Sequence, residues 1–131
     1  MQTIIELNSS LDSISKVEKF IDEISANVNI SSEIYGKILI ATIEAVNNAI
    51  VHGNKLNSNK IVRVKIESEG NRLKVIVEDE GPGFDFYNLP DPTTPQNIEN
   101  ISGRGVFLMR KLSDEINFFN NGSQVELIFY L

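Results

Sequence analysis

Glu44, Asn48 and His52 recur at four-residue intervals in the first half of the chain. Further on stand two glycine-rich stretches, Asp79-Glu80-Gly81-Pro82-Gly83 and Gly103-Arg104-Gly105. Four residues is about one helical turn, so on a helix Glu44 and Asn48 can converge on one ligand. An Asn oxygen can hold a hard cation such as Mg²⁺, and a carboxylate beside it can act as a general base. Asp79 can accept a hydrogen bond from a ligand amino group, and glycines let the backbone come close. Amides at the start of a helix make a phosphate site. Together these residues describe a nucleotide site, with residues 84–102 as its cover.

Each piece also has a plainer reading. Gly-Pro-Gly punctuates any loop, and Gly-x-Gly can mark a turn that needs positive φ. Glu and Asn on a helix are usually solvated. Asn is a mediocre helix former, however, so Asn47-Asn48 inside a strong helix calls for a reason. His52, the single histidine, can serve as a partner for a helix C-terminus. The second glycine stretch is not a Walker loop, since no Gly-Lys-Ser/Thr follows. Nor is it a dinucleotide fingerprint, since a long loop precedes it in place of a strand.

The elements that must position these residues follow from periodicity. Gln2 to Leu7 reads as a short strand, and Asn8-Ser9-Ser10 offers capping chemistry for a helix over residues 11–25. Ser31 or Ser32 caps a second helix from Glu33 to Val51, with Gly53 as its stop. On that helix Leu39, Ile43, Val46 and Ile50 form the expected buried stripe. Lys37, Ala41, Glu44 and Asn48 lie on another face, about 120° away. Lys60 to Ser68 and Arg72 to Glu78 form a hairpin around Glu69-Gly70-Asn71. Pro90, Pro92 and Pro95 exclude a regular helix or central strand in the long segment that follows. Gly103 opens a third helix to about Leu112, and Glu115 to Asn120 pairs with Gln124 to Tyr130 around Asn121-Gly122. Strands joined as hairpins predict an α+β fold, a two-layer sandwich with helices on one face of a mostly antiparallel sheet. No repeat, low-complexity tract or linker interrupts residues 1–131, so one domain is expected.

Bulk properties narrow the function. The chain has 131 residues, 41% of them hydrophobic, enough for one real core. Its net charge of −6 argues against a general nucleic-acid surface. Cysteine is absent, which removes disulfides, thiolate metal sites and thiol nucleophiles. The apolar runs read as too short for a bilayer span, and the N-terminus shows no secretory pattern. The expectation is a cytoplasmic protein with no membrane association.

Three motifs carry a family resemblance that covers essentially the whole chain. They are Glu44-Ala45-Val46-Asn47-Asn48-Ala49-Ile50-Val51-His52-Gly53, Asp79-Glu80-Gly81-Pro82-Gly83-Phe84-Asp85 and Gly103-Arg104-Gly105-Val106-Phe107-Leu108-Met109. In order and spacing they resemble the GHKL ATPases, the superfamily of gyrase-type ATPases, heat-shock chaperones, histidine kinases and mismatch-repair ATPases. The ending Asn-Ala-Ile-Val-His-Gly and the small size look most like the anti-sigma-factor serine/threonine kinases.

That resemblance implies the Bergerat-type, histidine-kinase-like ATPase fold, with ATP and Mg²⁺ as cofactors. By it, Asn48 would ligate Mg²⁺, and Glu44 would act as base on the incoming hydroxyl. Asp79 would accept from the adenine amino group, with Gly81 and Gly83 nearby. Gly103 and Gly105 would give amides to the phosphates beside Arg104 and Val106, and the segment between would form an ATP lid. The implied partners are a STAS-type anti-sigma-factor antagonist, phosphorylated on Ser or Thr, and a sigma factor, with a homodimer as the assembly. One departure stands out. Family members often use a first-helix arginine toward partners, whereas residues 11–25 hold only Lys16 and Lys19. The alternative is an ATP-binding regulatory switch without kinase activity. An isolated histidine-kinase catalytic domain is a weaker fit, because no helix pair with a phosphoacceptor His precedes the motifs.

Overall fold

The computed structural model describes residues 1–83 and 101–131, the first four of the latter as backbone only. Five strands form one antiparallel sheet in the order β1-β2-β3-β5-β4. They are β1 (Gln2–Asn8), β2 (Ile61–Glu69), β3 (Arg72–Glu78), β4 (Glu115–Phe119) and β5 (Gln124–Tyr130). The helices are α1 (Ile14–Ser25), α2 (Ser32–Asn48) and α3 (Ile101–Leu112). This is the expected α+β sandwich, antiparallel throughout its described strands.

Alternation along the strands decides which face meets the helices. Val62, Val64 and Ile66 on β2, Leu73, Val75 and Val77 on β3, and Val125, Leu127 and Phe129 on β5 are all buried. Register aligns Ile5, Val64, Val77, Val125 and Phe118 as one row across all five strands. The opposite face is largely charged, with Arg63 bridging Glu6 and Glu78 and Lys74 pairing with Glu126. One-sided burial of this kind pins the register, because a one-residue slip would reverse every side chain.

α1 follows its amphipathic pattern and buries Val17, Phe20, Ile21 and Ile24. A 3₁₀ turn, Leu11–Ser13, leads into it, and neither start is capped by a side chain. The hydroxyls expected to cap are used elsewhere: Ser9 Oγ donates to Lys60 O at 2.8 Å and Ser10 Oγ donates to the Asp12 carboxylate. Closing the β1–β2 junction takes precedence over capping there. Ser31 does cap α2, accepting from the Ile34 amide.

α2 differs from the sequence expectation in its buried face. Ile38, Ala41, Thr42, Ala45, Val46, Ala49 and Ile50 are buried, while Leu39 and Ile43 are only partly so. The helix is wedged between the sheet and the flanking α1 and α3, so its buried arc is wider and rotated toward Ala41. Small residues at 41, 45 and 49 let neighbours approach, which a hydrophobicity wheel does not register. By length and a mean hydropathy of 1.3, the helical run Ser32–Gly53 is also apolar enough to cross a bilayer, contrary to the sequence reading. In this fold it is the central helix of the core.

The end of the helix also departs from regularity. Ala49–Gly53 forms a π-helical turn, so the helix overruns Val51. Lys55 and Leu56 follow with φ of 52° and 58°. The Leu56 amide closes onto Ile50 O at 2.8 Å. α3 begins at Ile101, two residues before Gly103, so both glycines of that stretch lie inside the helix. The last hairpin turns through Asn120–Gly122, with positive φ at all three residues, in place of a two-residue turn.

Candidate functional site

The π turn and α3 on the helical side, with the ends of β3 and β5 on the other, enclose a cavity of about 420 Å³. Val77, Val125 and Phe118 from the aligned row give it an apolar floor. Ala45, Asn48, Ala49, His52 and Gly53 form the helical wall together with Met109. Gly83, Gly122 and Ser123 stand at the loop end with Asp79. Alanine at 45 and 49 leaves volume that larger apolar residues would fill. The cavity is largely apolar, with few polar groups, the composition of a small-molecule or cofactor site.

Asp79 is the carboxylate of this cavity. It follows β3, where its amide continues the ladder by donating to Ser123 O at 2.9 Å. Its Oδ1 accepts from the Gly81 amide at 2.7 Å. Burial raises its pKa above the ordinary aspartate value; the Gly81 bond opposes this, nearby Glu78 adds to it and Lys60 opposes it. The turn that carries it has no room for side chains. A Cβ on Gly81 would sit 2.1 Å from Gly53 O, and one on Gly83 (φ 87°) 2.0 Å from Asn121 O.

Asn48 lines the opposite end. Its Oδ1 is buried and has no hydrogen-bond partner among the described residues. A Cβ on Gly105 would lie 2.9 Å from that oxygen, so glycine is what allows α3 to close on α2 here. A buried acceptor without a partner is costly, and an oxygen donor of this kind suits Mg²⁺. Among the described residues no three His, Cys, Asp or Glu side chains cluster as a metal cage. Asn48 would hold the ion, which would supply positive charge against substrate phosphates.

The other sequence candidates divide. Glu44 stands one turn before Asn48, half-buried, and does not line the cavity. Gly103 and Arg104 fall in the first turn of α3, where amides are free of helical partners. The Arg104 side chain and residues 84–100 of the expected 84–102 lid lie outside the described residues, whereas Ile101 and Ser102 belong to α3 and not to a lid segment. Val106 is buried in the core, and its amide, like that of Gly105, lies beyond the free first turn of α3, so the phosphate amides expected from these two residues are taken up by the helix. His52, left open by the sequence, lines the cavity from the π turn.

Sequence reasoning missed Asn54, whose side chain ties the Glu80 amide to Ser9 and Ile61. A polar residue directly after the helix-ending Gly53 was the available signal. It also missed Met109, Phe118, Val77 and Val125, which are indistinguishable from core residues until the register is known.

A two-layer sandwich with a carboxylate after β3, and with an Asn on the central helix whose Oδ1 has no partner among the described residues and packs against Gly105 of α3, has the build of an ATPase-type nucleotide-binding domain. The family model for the histidine kinase-like ATPase domain matches residues 7–129, and the chain belongs to that family. It is 37% identical over 99 residues to the serine-protein kinase RsbW of Bacillus subtilis, covering 70% of this chain and 62% of that protein. To RsbW of Staphylococcus epidermidis it is 33% identical over 100 residues, covering 70% and 63%. The chain thus spans less than two thirds of these relatives' length. An anti-sigma F factor of Bacillus cytotoxicus is 30% identical over 138 residues, covering 96% of this chain and 92% of that protein. The RsbU and RsbW domains of a Mycobacterium tuberculosis protein share the fold, with a TM-score of 0.70 at 18% identity. That match covers all of this chain and 32% of the other.

Proposed function

We propose that this protein is an ATP-dependent serine/threonine kinase that phosphorylates a STAS-type anti-sigma-factor antagonist and sequesters a sigma factor. One observation carries the reading. A single cavity joins Asn48, whose Oδ1 is buried and unpartnered among the described residues, to the half-buried carboxylate of Asp79. That pairing suits Mg-ATP, with adenine at Asp79 and phosphates toward Asn48 and the start of α3. Kinship with proteins named serine-protein kinase RsbW and anti-sigma F factor supports the choice of activity and partners.

The chemistry needs positioning and charge stabilisation more than covalent participation. Asp79 and the apolar floor hold and orient the base. Gly103 brings a free first-turn amide of α3 to the phosphates, Arg104 extends that end, and Gly105 gives the room in which α3 closes on Asn48. Glu44 takes the proton of the attacking hydroxyl, and the segment between Gly83 and α3 excludes water. Action in the cytoplasm as a homodimer completes the proposal, and sedimentation tests the assembly.

The test is transfer from radiolabelled ATP to the purified STAS partner, comparing wild type with Glu44→Gln. Transfer by wild type and loss in Glu44→Gln is expected; normal transfer by the variant overturns the base assignment. The position of Glu44 outside the cavity lining favours a second reading, an ATP-binding switch without kinase activity. Tight Mg-ATP binding with no transfer to any STAS candidate would select it.

A further inference from the structure

We propose that Asn54 is a positioning residue that sets the spacing between the Asn48 and Asp79 ends of the cavity and so controls base selectivity. The selectivity part rests on the nucleotide reading above; the positioning part does not.

Asn54 is polar yet only 1% exposed. Its side chain makes three hydrogen bonds to three different segments. Nδ2 donates to Ser9 Oγ at 2.8 Å and to Ile61 O at 3.1 Å. Oδ1 accepts from the Glu80 amide at 2.8 Å. Its backbone amide donates to Ala49 O at 2.8 Å, which closes the π turn. One residue therefore ends the helix that carries Asn48 and holds the peptide next to Asp79.

The surrounding contacts leave this link no slack. Ser9 Oγ donates in turn to Lys60 O at 2.8 Å, and Glu80 Oε2 accepts from the Ile61 amide at 2.6 Å. Gly53 and Gly81 meet without space for a Cβ on either. Rotation of the Asp79–Gly83 turn would break the Asn54–Glu80 bond and leave the Oδ1 of the buried Asn54 without its donor, so that bond selects one orientation of the Asp79 carboxylate. A purely structural cap would lower stability and leave selectivity alone. A positioning residue must change both the local order of the turn and the choice of base.

Two measurements decide this in Asn54→Ala, with Ile24→Ala as a control. Ile24 is a buried α1 residue that does not line the cavity, and its truncation supplies a general loss of stability. The first is amide hydrogen exchange at Glu80 and Gly81 without nucleotide. It should speed up about tenfold in Asn54→Ala beyond any change in global stability, and not in Ile24→Ala. The second is the ratio of dissociation constants for Mg-ATP and Mg-GTP by calorimetry. The preference for ATP should fall about tenfold in Asn54→Ala and hold in Ile24→Ala. Unchanged exchange at Glu80, or equal selectivity losses in both variants, overturns the proposal. Equal wild-type affinity for the two nucleotides would overturn base reading itself, while the exchange rates would still decide whether Asn54 holds the turn. If Asn54→Ala does not fold, Asn54→Asp keeps the acceptor for the Glu80 amide. Its Glu80 protection should then exceed that of Gly81, and loss of both alike would overturn the assignment.

Discussion

The carboxylate of Asp79 occupies the space that a side chain at position 53 would need. A Cβ on Gly53 would lie 2.4 Å from both Cγ and Oδ2 of Asp79. Glycine at 53 is therefore set by a tertiary contact at the end of the π turn, beyond its use as a helix stop. The same contact couples the central helix to the residue assigned to reading the base.

Gly53→Ala should push Asp79 out of place, because its carboxylate is short and already held by the Gly81 amide. We expect the fold to lose about 1–3 kcal/mol, as overpacked sites do. Mg-ATP affinity should fall at least about tenfold. Urea unfolding and calorimetric titration measure the two effects.

Gly105→Ala separates stability from binding. Alanine is about 1 kcal/mol better than glycine in a helix interior, which offsets crowding at position 105. The new Cβ would meet Asn48 Oδ1 and Nδ2, at 2.9 and 3.0 Å, and must displace that amide. The nucleotide-free melting temperature should change little. The stabilisation by Mg-ATP, about 2.7 kcal/mol at 100 times the dissociation constant, should be lost. A wild-type-sized ligand shift in the variant would refute the role given to Asn48.

The raised pKa of Asp79 gives a pH signature. Burial makes its ionised form less favourable in the folded chain than in the unfolded one. The folded state then binds more protons between the unfolded value, about 3.9, and the raised folded value. Stability contributed by Asp79 is thus fully present below the unfolded pKa and falls as pH rises through the folded one. Asp79→Asn keeps an acceptor for the Gly81 amide and removes the titration. The difference in unfolding free energy should move in favour of the variant as pH rises across that window, and a flat difference would contradict the assignment. Mg-ATP binding should be lost in the same variant.

Leu56 offers a stabilising substitution. It has φ of 58° and is half exposed, so its Cβ is strained while its side chain packs little. Leu56→Gly should raise stability by roughly 0.5–1 kcal/mol, since the strain of a left-handed residue exceeds the entropic cost of glycine there. Thermal unfolding checks it, and the Leu56 amide bond to Ile50 O should persist.

Strands β2, β3 and β5 were legible almost to the residue, because period-two alternation of Val, Ile and Leu is a local signal that one-sided burial preserves. The motif helix was legible for the same reason, with Glu44 and Asn48 one turn apart wherever that helix packs. The buried face of α2 was not legible. Ala41 counts as weakly hydrophobic on a wheel, yet it is fully buried because α1, α3 and the sheet all close on the helix. Nor was the start of α3 legible: the helix begins two residues before Gly103, because a glycine that looks like the opening of a helix can lie within its first turn.

The amino-acid sequence by itself determined the element types, the three motifs and the family they resemble, because each depends on neighbours within a few residues. Tertiary structure alone decided that Val77, Val125 and Phe118 form a cavity floor facing Ala45 and Ala49, that the Asn48 oxygen packed against Gly105 has no partner among the described residues, and that Asn54 locks the Asp79 turn. Those relationships join residues up to tens of positions apart, 26 between Asn54 and Glu80 and 45 between Asn54 and Ser9. Their partners are chosen by strand register and close packing, which no local spacing encodes.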